Sequence, residues 1–330
     1  MKKILGILSF TASNLQAQSQ LKTVGVFEKY DAAVNKIVGD SAKAEIISQG
    51  YSWSEGPLWV EKYKMLLFSD VPNNAVYKWT EKEGTQLYLK PSGFIGESSK
   101  SRETGSNGLT LDSKGNLVLC QHGNRQMAVM NAPLTSPQAN YTALATHYMG
   151  KRFSSPNDCA FNNHGELFFT DPPYGLPSQG DKDPLKELSY NGVYKVKKDG
   201  TVILLVDSIT RPNGIAFFPG YKKILVACSD PQKPNWYVFD VKGDSLTNGK
   251  IFYSMSGYDK KLRGLPDGLK IDSKGNVFAT GPGGLYIFNK QGELLGRLSL
   301  PEPTSNCSLS ADEKTLFITN NKQVLKFSMR

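Results

Sequence analysis

Six short stretches each place a Glu, Asn or Asp just ahead of an apolar run: Ser54-Glu55-Gly56-Pro57, Ser106-Asn107-Gly108-Leu109, Pro156-Asn157-Asp158-Cys159, Pro212-Asn213-Gly214-Ile215, Pro266-Asp267-Gly268-Leu269 and Ser305-Asn306-Cys307-Ser308. Glu55 and Asp267 offer carboxylate oxygens; Asn107, Asn157, Asn213 and Asn306 offer amide oxygens if their carbonyls turn inward. Such donors suit a hard cation such as Ca²⁺, which takes roughly 6–8 oxygens. Zn²⁺ prefers His or Cys, and none of the three His residues occupies one of these positions. Brought together without a cation, Glu55 and Asp267 would repel each other and lie partly desolvated, which is unfavourable. Turn chemistry alone also repeats Asn-Gly and Asp-Gly. In that case Ser, Pro or Lys should share the position, and none does.

The elements around these residues repeat as well. Asn107 to Cys120 reads NGLTLDSKGNLVLC, and Asp267 to Thr280 reads DGLKIDSKGNVFAT. A polar residue is followed by alternating apolar positions, a turn and a β-rich run. DSKGN and NNHGE are hairpin turns in which Gly supplies the positive φ. Strand pairs with Gly-rich turns and no long helical pattern indicate an all-β chain. Start-to-start distances are 52 (55 to 107), 50 (107 to 157), 56 (157 to 213), 54 (213 to 267) and 39 (267 to 306). Periods of roughly 40–50 residues with four strands each mark a β-propeller. Six starts predict a six-bladed β-propeller with four-stranded antiparallel blades. The last repeat, 306–330, has room for about three strands, so the segment AEIIS at 44–48 is expected to add the missing outer strand and close the ring.

In a propeller the first strand of each blade lines the central channel, so the six polar residues should converge at one mouth of it. The loops after the second strands lie over the same face. Two insertions map there, Pro91 to Ser106 and Pro172 to Gly192, each either a lid or wall or a solvated excursion. His122 and Arg125 in the loop QHGNR, Tyr174 in DPPYG, and Asn107 are candidates for binding substrate. For each of the first three, packing or solvation within its loop is the competing reading. Asp171 is expected to fix its turn.

The bulk properties set limits. At 330 residues, 39% hydrophobic and 11% aromatic, the chain can build a sizeable core. The net charge is +9, yet Lys and Arg are scattered with no run longer than two, which argues against nucleic acid as a partner. Met1-Lys2-Lys3, the apolar run Ile4 to Phe10 and Leu15-Gln16-Ala17 have the layout of a signal peptide cut near Ala17. This predicts an exported protein, periplasmic or secreted. The apolar run is too short to span a bilayer, so no membrane insertion is expected. The expected organisation is a signal peptide at 1–17, an extension at 18–43 with a short helix over 27–38, and the propeller domain at 44–330. Cys120, Cys159, Cys228 and Cys307 all sit in or beside apolar runs, at spacings that match no zinc pattern, and read as free, buried, small hydrophobes.

Several pieces, in order along nearly the whole mature chain, resemble the senescence-marker-protein, gluconolactonase and luciferin-regenerating-enzyme-like family. They are SEGPLW (54–59), NGLTLDSKGNLVLCQHGNR (107–125), SPND (155–158), FFTDPPYG (168–175), RPNG (211–214), LPDGL (265–269), and TSNC with TLFITN (304–320). QHGNR and TDPPYG look most like its bacterial gluconolactonase branch. The resemblance implies a six-bladed propeller with one divalent cation at the channel mouth, Ca²⁺ first, with Mg²⁺, Mn²⁺ or Zn²⁺ also open. It implies cation binding by Glu55, Asn157, Asn213 and Asp267, with Asp267 also base or nucleophile. The implied activity is hydrolysis of a sugar lactone, a small-molecule partner, to the aldonic acid. A non-sugar lactone or a phosphotriester is an alternative substrate, and a non-enzymatic sugar- or calcium-binding propeller is a third reading. No Gly-x-Ser-x-Gly elbow is present, which disfavours a serine hydrolase. Oligomeric state is open at this point.

Overall fold

The computed structural model describes residues 21–330; the leader expected over 1–17 lies outside them. Among the described residues six antiparallel sheets form the blades of a propeller, and a two-stranded hairpin, His147–Tyr148 with Lys151–Arg152, follows the second. Blade 1 runs Ser54–Val60, Met65–Asp70, Ala75–Thr80 and Gly84–Leu89. Blade 2 runs Ser106–Leu111, Leu117–Gln121, Gln126–Met130 and Tyr141–Ala145. Blade 3 runs Cys159–Phe161, Leu167–Asp171, Gly192–Val196 and Val202–Val206. Blade 4 runs Pro212–Phe217, Lys223–Cys228, Asn235–Lys242 and Ser245–Ser254. Blade 5 runs Leu269–Ile271, Val277–Gly281, Gly284–Phe288 and Leu294–Ser299. Blade 6 runs Asn306–Leu309, Thr315–Asn320 and Gln323–Ser328, and its outer neighbour is Ala44–Gln49, antiparallel to the C-terminal strand.

The outer turns follow directly from sequence. In DSKGN, Asp112 Oδ1 accepts the backbone N–H of Lys114 (2.8 Å) and of Asn116 (2.9 Å). Asp272 repeats this with Lys274 (2.9 Å) and Asn276 (2.7 Å). Asn162 in NNHGE does the same with His164 (2.9 Å) and Glu166 (3.0 Å). In each turn a side-chain oxygen replaces the missing ladder bonds, and a glycine with φ near +80° lets the chain reverse: Gly115 (+82°), Gly275 (+88°) and Gly165 (+76°).

Apolar side chains pack between neighbouring blades. Phe278, Leu285, Ile287, Leu316, Ile318, Leu325 and Phe327 form one such layer between blades 5 and 6. Burying each contributes roughly 1.5–3 kcal/mol, so every blade depends on its neighbour. All four cysteines are buried and free. Among the described residues no helix is long and apolar enough to cross a membrane.

The N-terminal extension differs from its expected helix over 27–38. Val26–Lys29 is a strand paired with Leu294–Ser299 on the outside of blade 5, and only Ala32–Lys36 coils, as a 3-10 turn. Edge pairing overrides the helical spacing. The strand satisfies the open ladder of blade 5, Glu28 meets Arg297 (2.9 Å), and Phe27 packs against Phe327 (5.8 Å between ring centres). Asp31 then caps the turn by accepting the Ala33 N–H (2.7 Å), which leaves Val34 and Val38 in the core.

Candidate active site

Five of the six polar residues sit at an irregularity of the inner strand, whereas Asn306 of blade 6 pairs in regular register with Thr319. In blades 1, 2 and 4 the register breaks between Glu55 and Leu58, Ser106 and Leu109, and Pro212 and Ile215. In blades 3 and 5 the same pair of residues precedes the ladder, and Thr170 and Thr280 donate their N–H groups to the carbonyls of Asp158 (3.1 Å) and Gly268 (3.0 Å). Such bulges re-aim a side chain at the edge of a sheet.

Contacts link each of these stretches to the next around the axis. An alanine Cβ at Gly56 would lie 2.1 Å from the Asn107 carbonyl oxygen, and one at Gly214 would lie 2.3 Å from the Asp267 carbonyl oxygen. The Gly108 N–H donates to the Asn157 carbonyl (2.8 Å). Thr170 Oγ1 donates to the Asn213 carbonyl (2.8 Å). A Cβ at Gly268 would lie 1.9 Å from the Asn306 amide carbon, and Ser305 Oγ donates to the Ser54 carbonyl (2.7 Å). Only glycine permits the close approaches. The circuit runs 55, 107, 157, 213, 267, 306 and back to 54, so residues spread over more than half the sequence meet at one mouth.

A cavity of about 500 Å³ opens there, lined by Glu55, Asn107, Asn157, Asn213, Asp267 and Tyr174 among others. Glu55 is buried and Asp267 half-buried. Burial pushes the Glu55 carboxyl up to about 8, and the charges of Asp158 and Glu103 add to the push, although the Gly56 N–H donates to Glu55 Oε2 (2.9 Å). Asp267 is pushed well above the usual carboxylate range, first by burial and then by the charge of Glu55. Neither forms an ion pair with a described Lys, Arg or His.

One of the surrounding amides is left unsatisfied. Asn107 Oδ1 is buried with no hydrogen-bond partner among the described residues. Asn213 donates its Nδ2–H to Ser229 Oγ (3.2 Å), and Ser229 Oγ also meets the Tyr174 hydroxyl (2.6 Å). Burial, the largest influence, pushes the Tyr174 hydroxyl above its ordinary range, so it stays protonated at neutral pH. Two mutually repelling carboxylates, the unpaired amide oxygen of Asn107 and the lack of a countercharge fit a hard cation held by oxygen. Among the described residues no three His, Cys, Asp or Glu side chains cluster as a metal site. A donor set here would therefore combine the two carboxylates with carboxamides.

His122 and Arg125 do not line this cavity. His122 is fully buried, packed under Gly175, with Nδ1 3.5 Å from Glu103 Oε2. Arg125 is also buried; its Nε donates to the Phe153 carbonyl (2.6 Å), and Nη1 reaches Glu187 (3.5 Å). The QHGNR loop is covered by the segment after Asp171, so both side chains turn into protein rather than toward the mouth. Asp171 fixes its turn by accepting the N–H groups of Ser154 (2.9 Å) and Ser155 (2.7 Å).

Three further polar residues escape a reading of the sequence. Ser229 directly follows the second strand of blade 4, beside Asn213. Asp158 fills the position held by glycine in four other blades, a departure visible in the alignment of the repeats. It is buried, its Oδ2 is 3.4 Å from Asn306 Nδ2 and 3.9 Å from Lys270 Nζ, and Lys270 supplies a charge below the mouth. Glu103 lies in the first insertion and lines the cavity, with no repeat to mark it.

Comparison with known proteins places these features in a lineage. The profile of the SMP-30/gluconolactonase/LRE-like region matches residues 53–322. A gluconolactonase from Zymomonas mobilis is 38% identical over 311 residues, covering 92% of this chain and 86% of that protein. A diisopropyl-fluorophosphatase from Loligo vulgaris is 29% identical over 188 residues, covering 54% and 58% respectively. Among solved structures, a gluconolactonase from Xanthomonas campestris superposes with a TM-score of 0.80 at 28% identity, covering 95% of this chain and 99% of that one. The chain belongs to the SMP-30/gluconolactonase/LRE-like family.

Proposed function

We propose that the protein is a hydrolase that opens a sugar lactone to its aldonic acid. The observation that carries this reading is the cavity in which Glu55 and Asp267 lie together with the unsatisfied Asn107 amide oxygen and no countercharge. The 38% identity to a gluconolactonase across most of the chain supports the same substrate class. Glu55, Asn157, Asn213 and Asp267 would hold one divalent cation, with Ca²⁺ preferred because every donor is oxygen. When bound, such a cation supplies Lewis-acid polarisation of the lactone carbonyl and a countercharge for the oxyanion.

The chain's own residues do the rest. Asp267 takes a proton from the attacking water at its carboxylate, or attacks directly. Ser229 holds the Asn213 amide, and the Tyr174 hydroxyl holds Ser229 in turn. Asn107 Oδ1 is an acceptor awaiting a donor, which a substrate hydroxyl can provide. Residues of both insertions, Glu103, Tyr174 and Gln179, line the mouth.

The partial match to a diisopropyl-fluorophosphatase favours a phosphotriester as the second substrate reading. The test is hydrolysis of aldonolactones and phosphotriesters with and without a chelator, alongside Asp267→Asn. Lactone turnover that chelation abolishes and that Asp267→Asn lowers at least a hundredfold supports the proposal. Full activity in that variant removes Asp267 from the mechanism. Absence of turnover on both substrate classes leaves a binding propeller as the better account. Residues 1–17, read as a signal peptide, would place the enzyme in the periplasm or outside the cell; an intact N-terminus on the native protein would contradict that.

A further inference from the structure

The two insertions over the mouth are fastened to each other, and one carboxylate lies at the junction. Ser101 Oγ donates to the Gly175 carbonyl (2.7 Å), and Gln179 Nε2 donates to Glu103 Oε1 (3.0 Å). Glu103 lines the cavity together with Gln179, and its side chain keeps 21% of its exposure. Its other oxygen is 3.5 Å from Nδ1 of His122, a ring that is fully buried and has no hydrogen-bond partner on either nitrogen among the described residues. A carboxylate can accept about four hydrogen bonds, so Glu103 has acceptor capacity left, directed at the cavity that holds Glu55 and Asp267.

This placement is costly. The charge of Glu103 raises the proton affinity of both Glu55 and Asp267. A lid needs only the Ser101 and Gln179 contacts, which a neutral residue could also make. A third acid in the mouth is useful where the ligand brings several O–H donors and no negative charge, as a polyhydroxylated lactone does before its ring opens.

We infer that Glu103 is a specificity-determining residue that accepts hydrogen bonds from the hydroxyls of a polyhydroxylated lactone, held in place by Gln179 from the second insertion. The assignment rests on the lactonase reading. It adds a hydroxyl acceptor on the insertion to Asn107 Oδ1 on the ring, and leaves attack on the carbonyl to Asp267.

The test compares glucono-1,5-lactone with δ-valerolactone, which has the same six-membered ester ring and no hydroxyls. For Glu103→Ala, and to a smaller extent Glu103→Gln, the ratio of kcat/KM for the two lactones should fall by about 10- to 100-fold, chiefly through KM for the hydroxylated substrate; hydrogen bonds to charged groups have this magnitude. An equal loss on both lactones, with kcat falling and KM held, would make Glu103 a general base and overturn the assignment. An unchanged ratio would also overturn it. If Glu103→Ala does not fold, Gln179→Met decides: loss of its donor should shift the same ratio by several-fold, and no shift counts against the inference. A wild-type protein that cleaves neither lactone refutes the lactonase reading itself, a failure distinct from a wild-type enzyme whose selectivity survives the substitutions.

Discussion

Replacing Gly56 with alanine tests the geometry of the ring itself. Gly56 has φ +51°, where a side chain costs about 1–2 kcal/mol. Its new Cβ would lie 2.1 Å from the Asn107 carbonyl oxygen and 3.0 Å from the Asn107 carbonyl carbon, both backbone atoms that no rotamer change can move aside. Overpacking of this kind adds roughly 1–3 kcal/mol, and the lower backbone entropy of alanine in the unfolded chain returns about 0.4–1 kcal/mol. The net loss is about 2–4 kcal/mol. With an unfolding entropy of roughly 2.1 cal/mol/K per residue over about 300 residues, Tm should fall by about 3–6 °C. Gly115 is the control: it has φ +82° but nothing within 4 Å of an added Cβ, so only the conformational cost applies, about 1–2 °C after the entropy return. Thermal melts followed by circular dichroism, paired with lactone turnover, separate the two. Gly56→Ala should lose both stability and most of its turnover, because the displaced Asn107 carbonyl belongs to the ring. If it melts with Gly115→Ala and keeps its kcat, the close approach between blades 1 and 2 is not what aligns the site.

Three further outcomes are expected. Ser229→Ala frees the Asn213 amide, and should weaken cation affinity by about tenfold, measured by calorimetric titration, as loss of an outer-shell partner typically does. Glu28→Gln breaks the pair with Arg297 that fastens the N-terminal strand to blade 5; a loss of up to about 1 kcal/mol is expected for a partly exposed pair, read as a small fall in Tm with unchanged turnover. Burial is the main cause that pushes Asp171 up to about 7 from 3.8, so the folded protein holds that proton more tightly than the unfolded chain. Stability from this group should be fully present below about pH 4 and lost as pH rises through 7, and Asp171→Asn should flatten that part of the profile of Tm against pH.

The ring was legible because the chain states it six times. Blades 1, 2 and 4 carry a bulge beside the polar residue, and in blades 1, 2, 4 and 5 a glycine after it allows the close approach to the next blade. The blade count followed from spacing alone. The helix expected over 27–38 rests on the spacing of Phe27, Tyr30, Ala33, Val34 and Ile37, which is local, whereas the unpaired edge of blade 5 that recruits Val26–Lys29 lies more than 260 positions away. His122 and Arg125 carry polar groups in a loop on the working face, yet the Phe153 carbonyl and the second insertion that cover them appear in no repeat. Glu103 was missed for the same reason: an insertion has no period, so nothing distinguishes an acid that reaches the cavity from one that faces water. Asp158 could have been found, since aspartate replaces the glycine that four other blades keep.

The central claim is that Glu55, Asn157, Asn213 and Asp267 share one divalent cation on which lactone hydrolysis depends. Calorimetric titration of chelator-stripped protein with Ca²⁺ tests it most directly. The account predicts a single site per chain, with affinity lowered at least a hundredfold in both Glu55→Gln and Asp267→Asn, and turnover restored in step with occupancy in the wild type. Binding that survives both substitutions, or full turnover by the stripped protein, would contradict it.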